Sequence, residues 1–338
     1  MIATQYKLVK PFIIETTYND ISISDGVIVK PKYLSICKAD MRYFFGQRDL
    51  KVLKKRLPMS LIHEACGEVL YDPKGVFSKG QKVVLLPNIP GKDEYYTENY
   101  RLDSLFRSSR ADGFMQEIIA LDPAFLVTYS DKIPDEVAAF TEFISVGIHA
   151  VDTFIKIAGQ RRDHIAVWGD GSLAYVVCAV LKCMLPETKL TVIGISPTKL
   201  QYFTFADEVL TVSEVENVPQ YDHCFECVGG SGCTPAISQI IDNILPEGVI
   251  SLLGVSEEPV PVNTRMVLEK GLTMIGRSRS GRVDFEKAAE LLKSSESFVG
   301  RMQHIISHLV DVSKINDISD AFDLAKTADF KVVLKWNV

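Results

Sequence analysis

The stretch IAVWGDGSLAYVV, residues 165–177, reads as an apolar strand, a glycine-bearing turn and the opening of a helix. Gly169, Gly171 and Ala174 stand in a G-x-G-x-x-A arrangement. The first glycine allows the tight turn, the second lets a pyrophosphate come close to the backbone, and the small third residue lets helix pack on strand. The helix entered through Ser172 and Leu173 then presents unpaired N–H groups and its positive dipole end to the phosphates. A dinucleotide is the ligand for such a turn. Asp170, between the glycines, is read as merely tolerated. An isolated motif of this kind also occurs as a plain tight turn, so its surroundings decide.

Working outward, five further apolar runs follow: KLTVIGI (189–195), DEVLTV (207–212), YDHCFECV (221–228), GVISLLGV (248–255) and LTMIGRS (272–278). The segments between them are long enough for helices, which predicts a doubly wound α/β domain with a mainly parallel sheet over residues 145–281. Upstream, VIVKPKYLSI (27–36), CGEVLYD (66–72) and KVVLLP (82–87) alternate with Gly, Pro and Asp turns. That pattern predicts a β-rich domain over residues 1–144. The helical run DFEKAAELLKSS (284–295) and the strand-like ADFKVVLKWNV (328–338) resume a mixed pattern, so residues 282–338 are expected to complete the first domain. The nucleotide domain is then an insertion. No solenoid repeat or low-complexity tract interrupts this plan.

With 338 residues, 47% of them hydrophobic, the chain has the material for two buried cores. A net charge of -6 supplies no global field for nucleic acid. The start of the chain lacks a basic segment followed by an apolar one, and no apolar run reaches the roughly 18 residues needed to span a bilayer, so membrane insertion is not expected and the cytoplasm is the expected compartment. Seven irregularly spaced cysteines read as reduced thiols, some of them free to bind metal.

The end of the second nucleotide-domain strand bears on the choice of dinucleotide, because an NAD site carries an acid there for the ribose 2′-hydroxyl. Here Ser196, Thr198 and Lys199 occupy that region, which favours NADPH; the plainer alternative is a Ser-Pro turn with a solvated lysine. Three remote stretches offer a thiolate, an imidazole and a carboxylate for one zinc: Cys37, His63 and Glu142. Asp40 is placed to fix the tautomer of His63. Glu64 is either an exchanging ligand or a buried structural carboxylate. Spacing alone would leave Cys37 as an ordinary buried cysteine. Cys224, Cys227 and Cys233 straddle a strand end and read as core thiols, and His149 as a helix residue. His304 and His308, spaced i and i+4, would face one side of a possible helix and could bind metal, but with no third partner nearby they read as surface residues.

The segments SICKAD, IHEACGEV, TEFISVGIHA, WGDGSLAY and GVSEEPVPVN together resemble the medium-chain, zinc-dependent alcohol and sorbitol dehydrogenase superfamily over essentially the whole chain. LPMSLIHEACGEVLYDPKGVF, ENYRLDSLFRSSRADGFMQE, HCFECVGG and VNTRMVLEKGLTMIG are more similar still to its ribulose-5-phosphate reductase branch, known from teichoic-acid and capsule synthesis. The resemblance implies a GroES-like catalytic domain with an inserted Rossmann domain, one catalytic zinc, NADPH, and reduction of ribulose 5-phosphate to ribitol 5-phosphate. It further implies cooperation with a cytidylyltransferase, and a homodimer is the common assembly of such enzymes.

Carried onto this chain, Cys37 and His63 match the superfamily's first two zinc ligands, and Glu142 the third ligand of sorbitol dehydrogenase-like members. Asp40 and Glu64 match its supporting acids. Three departures stand out. Residues 87–110 hold none of the four cysteines of the structural zinc lobe, so no structural zinc is expected; Ala39 and Arg42 replace the hydroxyl and histidine of the usual proton relay. Arg42, with Tyr43 beside it, is the expected anchor for a substrate phosphate. Two other functions are consistent with the residues: an NAD-dependent polyol dehydrogenase, and a non-catalytic binding protein on a dehydrogenase scaffold.

Overall fold

The computed structural model describes residues 1–216 and 218–338. These divide into two compact units, Met1–Ser145 with Ser280–Val338, and Val146–Arg279.

The first unit opens with an antiparallel hairpin, β1 (Ile2–Lys10) and β2 (Ile13–Asp20), followed by the long strand β3 (Val27–Ile36). Two short helices, α1 (Lys38–Phe44) and α2 (Leu50–Arg56), lead to β4 (Glu64–Tyr71) and β5 (Lys82–Leu85). The pair β6 (Asn88–Ile89) and β7 (Leu105–Phe106) frames a lobe before β8 (Ile119–Leu121), β9 (Leu126–Thr128) and the short helix α3 (Asp135–Ala138). β3 pairs antiparallel with β4, β4 with β5, and β5 with β9. Val27, Val29, Leu34, Val69, Val83 and Leu85 are buried along these strands and meet Phe44, Phe114, Phe322 and Trp336 in one core.

The unit boundary falls within α4 (Thr141–Ile157). Beyond it strands and helices alternate except between β12 and β13: β10 (His164–Trp168), α5 (Ser172–Met184), β11 (Lys189–Gly194), α6 (Pro197–Leu200), β12 (Glu208–Thr211), β13 (His223–Glu226), α7 (Cys233–Asn243), β14 (Val249–Leu252), α8 (Thr264–Glu269) and β15 (Thr273–Gly276). The six strands form one all-parallel sheet in the order β12-β11-β10-β13-β14-β15. This is the doubly wound arrangement expected from the six apolar runs, with the order reversing at β10. β10 and β13 are buried almost throughout, mostly by apolar residues, and the polar His223 and Glu226 of β13 are each hydrogen-bonded.

The chain then adds α9 (Arg282–Ser294), α10 (Glu296–His304), β16 (Ile306–Val312), α11 (Ile315–Thr327) and β17 (Lys331–Trp336). β17 pairs antiparallel with β3 and parallel with β16, so the C-terminal strand completes the first unit's sheet. One expectation fails here. His304 ends α10 whereas His308 lies in β16, so the two histidines do not share a helix face, although both are exposed as expected of surface residues. Among the described residues no helix is long and apolar enough to cross a membrane.

Gly113 shows how tightly the region before β4 is packed. Its N–H donates to Ser60 O at 2.7 Å, and a Cβ there would run into the carbonyls of Leu61 and Ile62. Those atoms are backbone and cannot swing aside. Gly113→Ala is therefore expected to lower the unfolding free energy by about 1–3 kcal/mol, the usual cost of overpacking. Urea denaturation checks this; an unchanged midpoint would mean the two segments have room to separate.

Candidate metal and dinucleotide sites

Strand order brings remote residues together at one end of the first unit's sheet. β3 lies between β4 and β17, with Ser35 opposite both Glu64 and Val333. Cys37 follows the end of β3, Glu64 begins β4, and Lys331 begins β17. The ligating atoms of Cys37, His63 and Glu64 lie within 4.8 Å of one another, the one group of metal-competent side chains found among the described residues.

Cys37 is the N-cap of α1, and Asp40 at its third helical position accepts the Cys37 N–H through Oδ2 at 3.2 Å. This back-bond is half of a capping box and fixes the helix start. The other oxygen, Oδ1, is 3.1 Å from His63 Nδ1 and accepts from Ile62 N at 3.2 Å and Ser108 Oγ at 2.5 Å. Asp40 is wholly buried, which alone would raise its pKa. The charge and hydrogen bond of His63, with the bonds from Ser108 and Cys37, outweigh burial and hold it below the ordinary value. An ionised Asp40 can only accept, so His63 carries its proton on Nδ1 and keeps Nε2 for a metal. Burial likewise opposes a charged His63, but Asp40 and Cys37 lift its pKa well above 6.5. A proton and a divalent cation then compete for the same nitrogen. The ring of Phe106 lies 5.3 Å from that of His63.

Glu64 is fully buried and carries a partner that sequence reading missed. Lys331 Nζ donates to both its oxygens, at 2.8 and 2.7 Å, and to Ile36 O at 3.2 Å. The ammonium also sits 4.6 Å from the Phe143 ring centroid. Burial works against the lysine's charge, yet Glu64 and Cys37 raise its pKa above the ordinary value. No pattern marks Lys331 in the sequence, since it heads a run of apolar strand residues. Glu142, at the start of α4, is not part of the three-residue group around Cys37. It is buried nearby, and burial pushes its pKa up to about 7 even though His63 pulls the other way. Its place at the cluster edge differs from direct grouping with Cys37 and His63, and Glu64 occupies that grouping.

Arg42 lies half-buried on α1. Tyr43 corrects an expectation: it is 3% exposed within the hydrophobic core, with the Arg48 guanidinium 5.1 Å above its ring, so it serves packing and leaves Arg42 as the phosphate candidate. The donor set of thiol, imidazole and carboxylate suits zinc, with Asp40 bracing the imidazole as such sites require.

In the second unit, Gly169 adopts φ +132° against the backbone of Cys227, and Gly171 has no atom within 4 Å of where a Cβ would stand. Ser172 and Leu173 begin α5, and Ala174 is buried beneath it. The turn is thus open on the side a pyrophosphate needs. Asp170 is more than tolerated: its Oδ2 accepts from Ile195 N at 2.8 Å and Ser196 N at 2.7 Å, tying the turn to the end of β11. Ser196 caps α6, whose first turn carries Thr198 and Lys199. A second acid, Glu226, accepts from Val228 N, Gly229 N and Gly254 N at 2.8–3.0 Å and joins the loops after β13 and β14. All seven cysteines are free thiols; Cys224, Cys227 and Cys233 are buried, and His149 lies in α4.

Comparison with known proteins agrees with this architecture. Residues 24–134 match the alcohol dehydrogenase GroES-like domain, and residues 135–336 match the glucose dehydrogenase C-terminus. The chain is 46% identical over 339 residues to ribulose-5-phosphate reductase 1 of Staphylococcus aureus (strain NCTC 8325 / PS 47), covering 99% of each. It is 43% identical to the ribulose-5-phosphate reductase of Bacillus spizizenii (strain ATCC 23059 / NRRL B-14472 / W23), covering 100% of each. The crystal structure of S. aureus TarJ in complex with NADPH superposes with a TM-score of 0.89 at 42% identity, over 99% of both chains. The chain belongs to the zinc-type medium-chain alcohol dehydrogenases and, within them, to the ribulose-5-phosphate reductase family.

Proposed function

We propose that this chain reduces D-ribulose 5-phosphate to D-ribitol 5-phosphate, with NADPH as hydride donor and one zinc at Cys37 and His63. One conjunction carries the reading: Cys37, His63 and Glu64 converge within 4.8 Å in a chain 46% identical, end to end, to a ribulose-5-phosphate reductase. When bound, zinc supplies Lewis acidity towards a carbonyl oxygen and NADPH supplies the hydride.

The chain's own residues do the rest. Cys37 and His63 would hold the metal, Glu142 or Glu64 would complete the protein ligands, and Asp40 keeps the His63 ring oriented. Lys331 neutralises Glu64, which limits the negative charge that would otherwise weaken an electrophilic centre. Gly169, Gly171, Ser172 and Leu173 receive the pyrophosphate at the start of α5. Ser196, Thr198 and Lys199 receive the 2′-phosphate, with Asp170 holding their loop in place. Arg42 takes the substrate phosphate, a planar guanidinium being matched to two phosphate oxygens. The reduction adds a hydride to C2 and a proton to its oxygen. With Ala39 and Arg42 at the relay positions, we assign that proton to water near Glu64 or to the substrate's own hydroxyls.

We further propose that the enzyme works in the cytoplasm as a homodimer and passes its product to a cytidylyltransferase for CDP-ribitol, destined for teichoic acid or capsule. Reduced thiols throughout the chain support that compartment.

The deciding assay follows NADPH and NADH oxidation with phosphorylated and free ketoses. Turnover is expected with ribulose 5-phosphate and NADPH, lost on chelation and restored by zinc; full activity in the stripped protein would overturn the metal assignment. Arg42→Ala is expected to raise KM for ribulose 5-phosphate about tenfold, the worth of a lost charge-assisted contact, with KM for NADPH unchanged. Lys331→Met strands a buried carboxylate and is expected to cost about 3–5 kcal/mol in urea unfolding. Adding Glu64→Gln should recover most of that loss, and failure to do so would separate the two residues.

A further inference from the structure

The lobe between β6 and β7 carries no cysteine in residues 87–110, and hydrogen bonds shape it instead. Gly91 N donates to Ser104 Oγ at 3.1 Å, Ser104 Oγ to Glu98 O at 3.2 Å, and Arg101 to Gly91 O at 2.9 Å. The lobe ends in a tight turn in which Arg110 N reaches Phe106 O and Ser108 N reaches Ala111 O, both at 2.8 Å. This turn delivers Phe106 to the His63 ring and Ser108 to Asp40.

Two backbone outliers meet at that point. Ser108 has φ +61° and Ile62 has φ +63°, and each sends a donor to Oδ1 of Asp40. Left-handed backbone is unfavourable for side chains other than glycine and persists where the surroundings over-determine it. A β-branched isoleucine is an especially poor occupant. Both sit in the immediate environment of one carboxylate, the one that holds His63 Nδ1. Ser108 is buried, and its hydroxyl has one acceptor of this kind within reach.

We propose that Ser108 is a positioning residue for the metal-binding imidazole, acting through Asp40 to keep Nε2 of His63 aimed at the metal. The proposal rests on reading Cys37 and His63 as zinc ligands. Ser108 touches neither substrate nor metal. Its hydroxyl adds a donor to a carboxylate that already serves three other groups, narrowing the orientations Asp40 can take. A looser Asp40 lets the imidazole rotate and shortens the residence of the ion.

The test measures zinc release from the purified enzyme to a coloured chelator, alongside urea unfolding, for the parent, Ser108→Ala and Ser108→Gly. Both variants are expected to release zinc about tenfold faster, as outer partners of metal ligands commonly do when removed. Both variants remove a donor from a buried carboxylate and should unfold more easily than the parent, Ser108→Gly less so than Ser108→Ala, because glycine accepts the left-handed backbone. In an Asp40→Asn background, Ser108→Ala should add little, since the shared partner is already altered. Parent-like zinc release from Ser108→Gly, or an equally large Ser108→Ala effect beside Asn at position 40, overturns the proposal. A parent that holds zinc yet leaves ribulose 5-phosphate untouched would instead sink the substrate assignment, while the release rates still judge Ser108.

Discussion

A carboxylate shut away from water must find its own donors, and Asp40 finds them on three separate segments: Cys37 N at the start of α1, Ile62 N and His63 Nδ1 ahead of β4, and Ser108 Oγ at the end of the lobe. An unpaired buried charge costs several kcal/mol, so these segments cannot drift apart independently. The candidate metal site is built around that requirement. Cys37 is held because the helix it caps is held, and His63 because its other nitrogen is taken. Asp40 thus governs the geometry of the two side chains proposed to hold the metal.

Glu64 and Lys331 apply the same logic at the neighbouring strand end. Each would be costly alone, with Lys331 at 4% and Glu64 at 0% exposure. Together they join β4 to the C-terminal strand across β3, which makes the last residues of the chain part of the site that the first third begins. The pair also limits the charge beside Cys37, because the ammonium of Lys331 neutralises the carboxylate of Glu64. An environment so arranged accommodates a divalent cation without gathering excess negative charge.

In the nucleotide-binding unit, acids again organise backbone. Asp170 takes two N–H groups at the end of β11, and Glu226 takes three from the loops after β13 and β14. These loops lie at the carboxyl ends of the parallel strands, where such sheets bind their ligands. Gly194 leaves the room Asp170 needs, and Gly254 does so for Glu226. Rigid loops of this kind reduce the ordering that a cofactor must impose on arrival.

Periodicity and turn residues were enough to read the architecture from the sequence. Six apolar runs with helical spacers lead to a doubly wound sheet, and G-D-G after a strand leads to a dinucleotide turn, because both patterns are local and repeat every few residues. Cys37, His63 and Glu142 were visible as residue types suited to zinc, with Glu64 beside them as an exchanging ligand or structural carboxylate; the grouping of Glu64 with Cys37 and His63 came from the structure. Partnership was not visible. Lys331 stands 267 positions from Glu64, and only the pairing of β17 beside β3 brings them into contact. Ser108 and Asp40 are 68 apart, joined by a turn whose left-handed backbone no spacing rule announces. Tyr43, and the helix assumed to join His304 to His308, went astray for the same reason: burial and element boundaries depend on what packs from elsewhere. The sequence by itself determined which chemistry the chain carries and which fold it adopts, since those follow from residue type and local pattern. Which charges face each other was decided only by the tertiary structure, because a buried ion pair is chosen by strand order and not by distance along the chain.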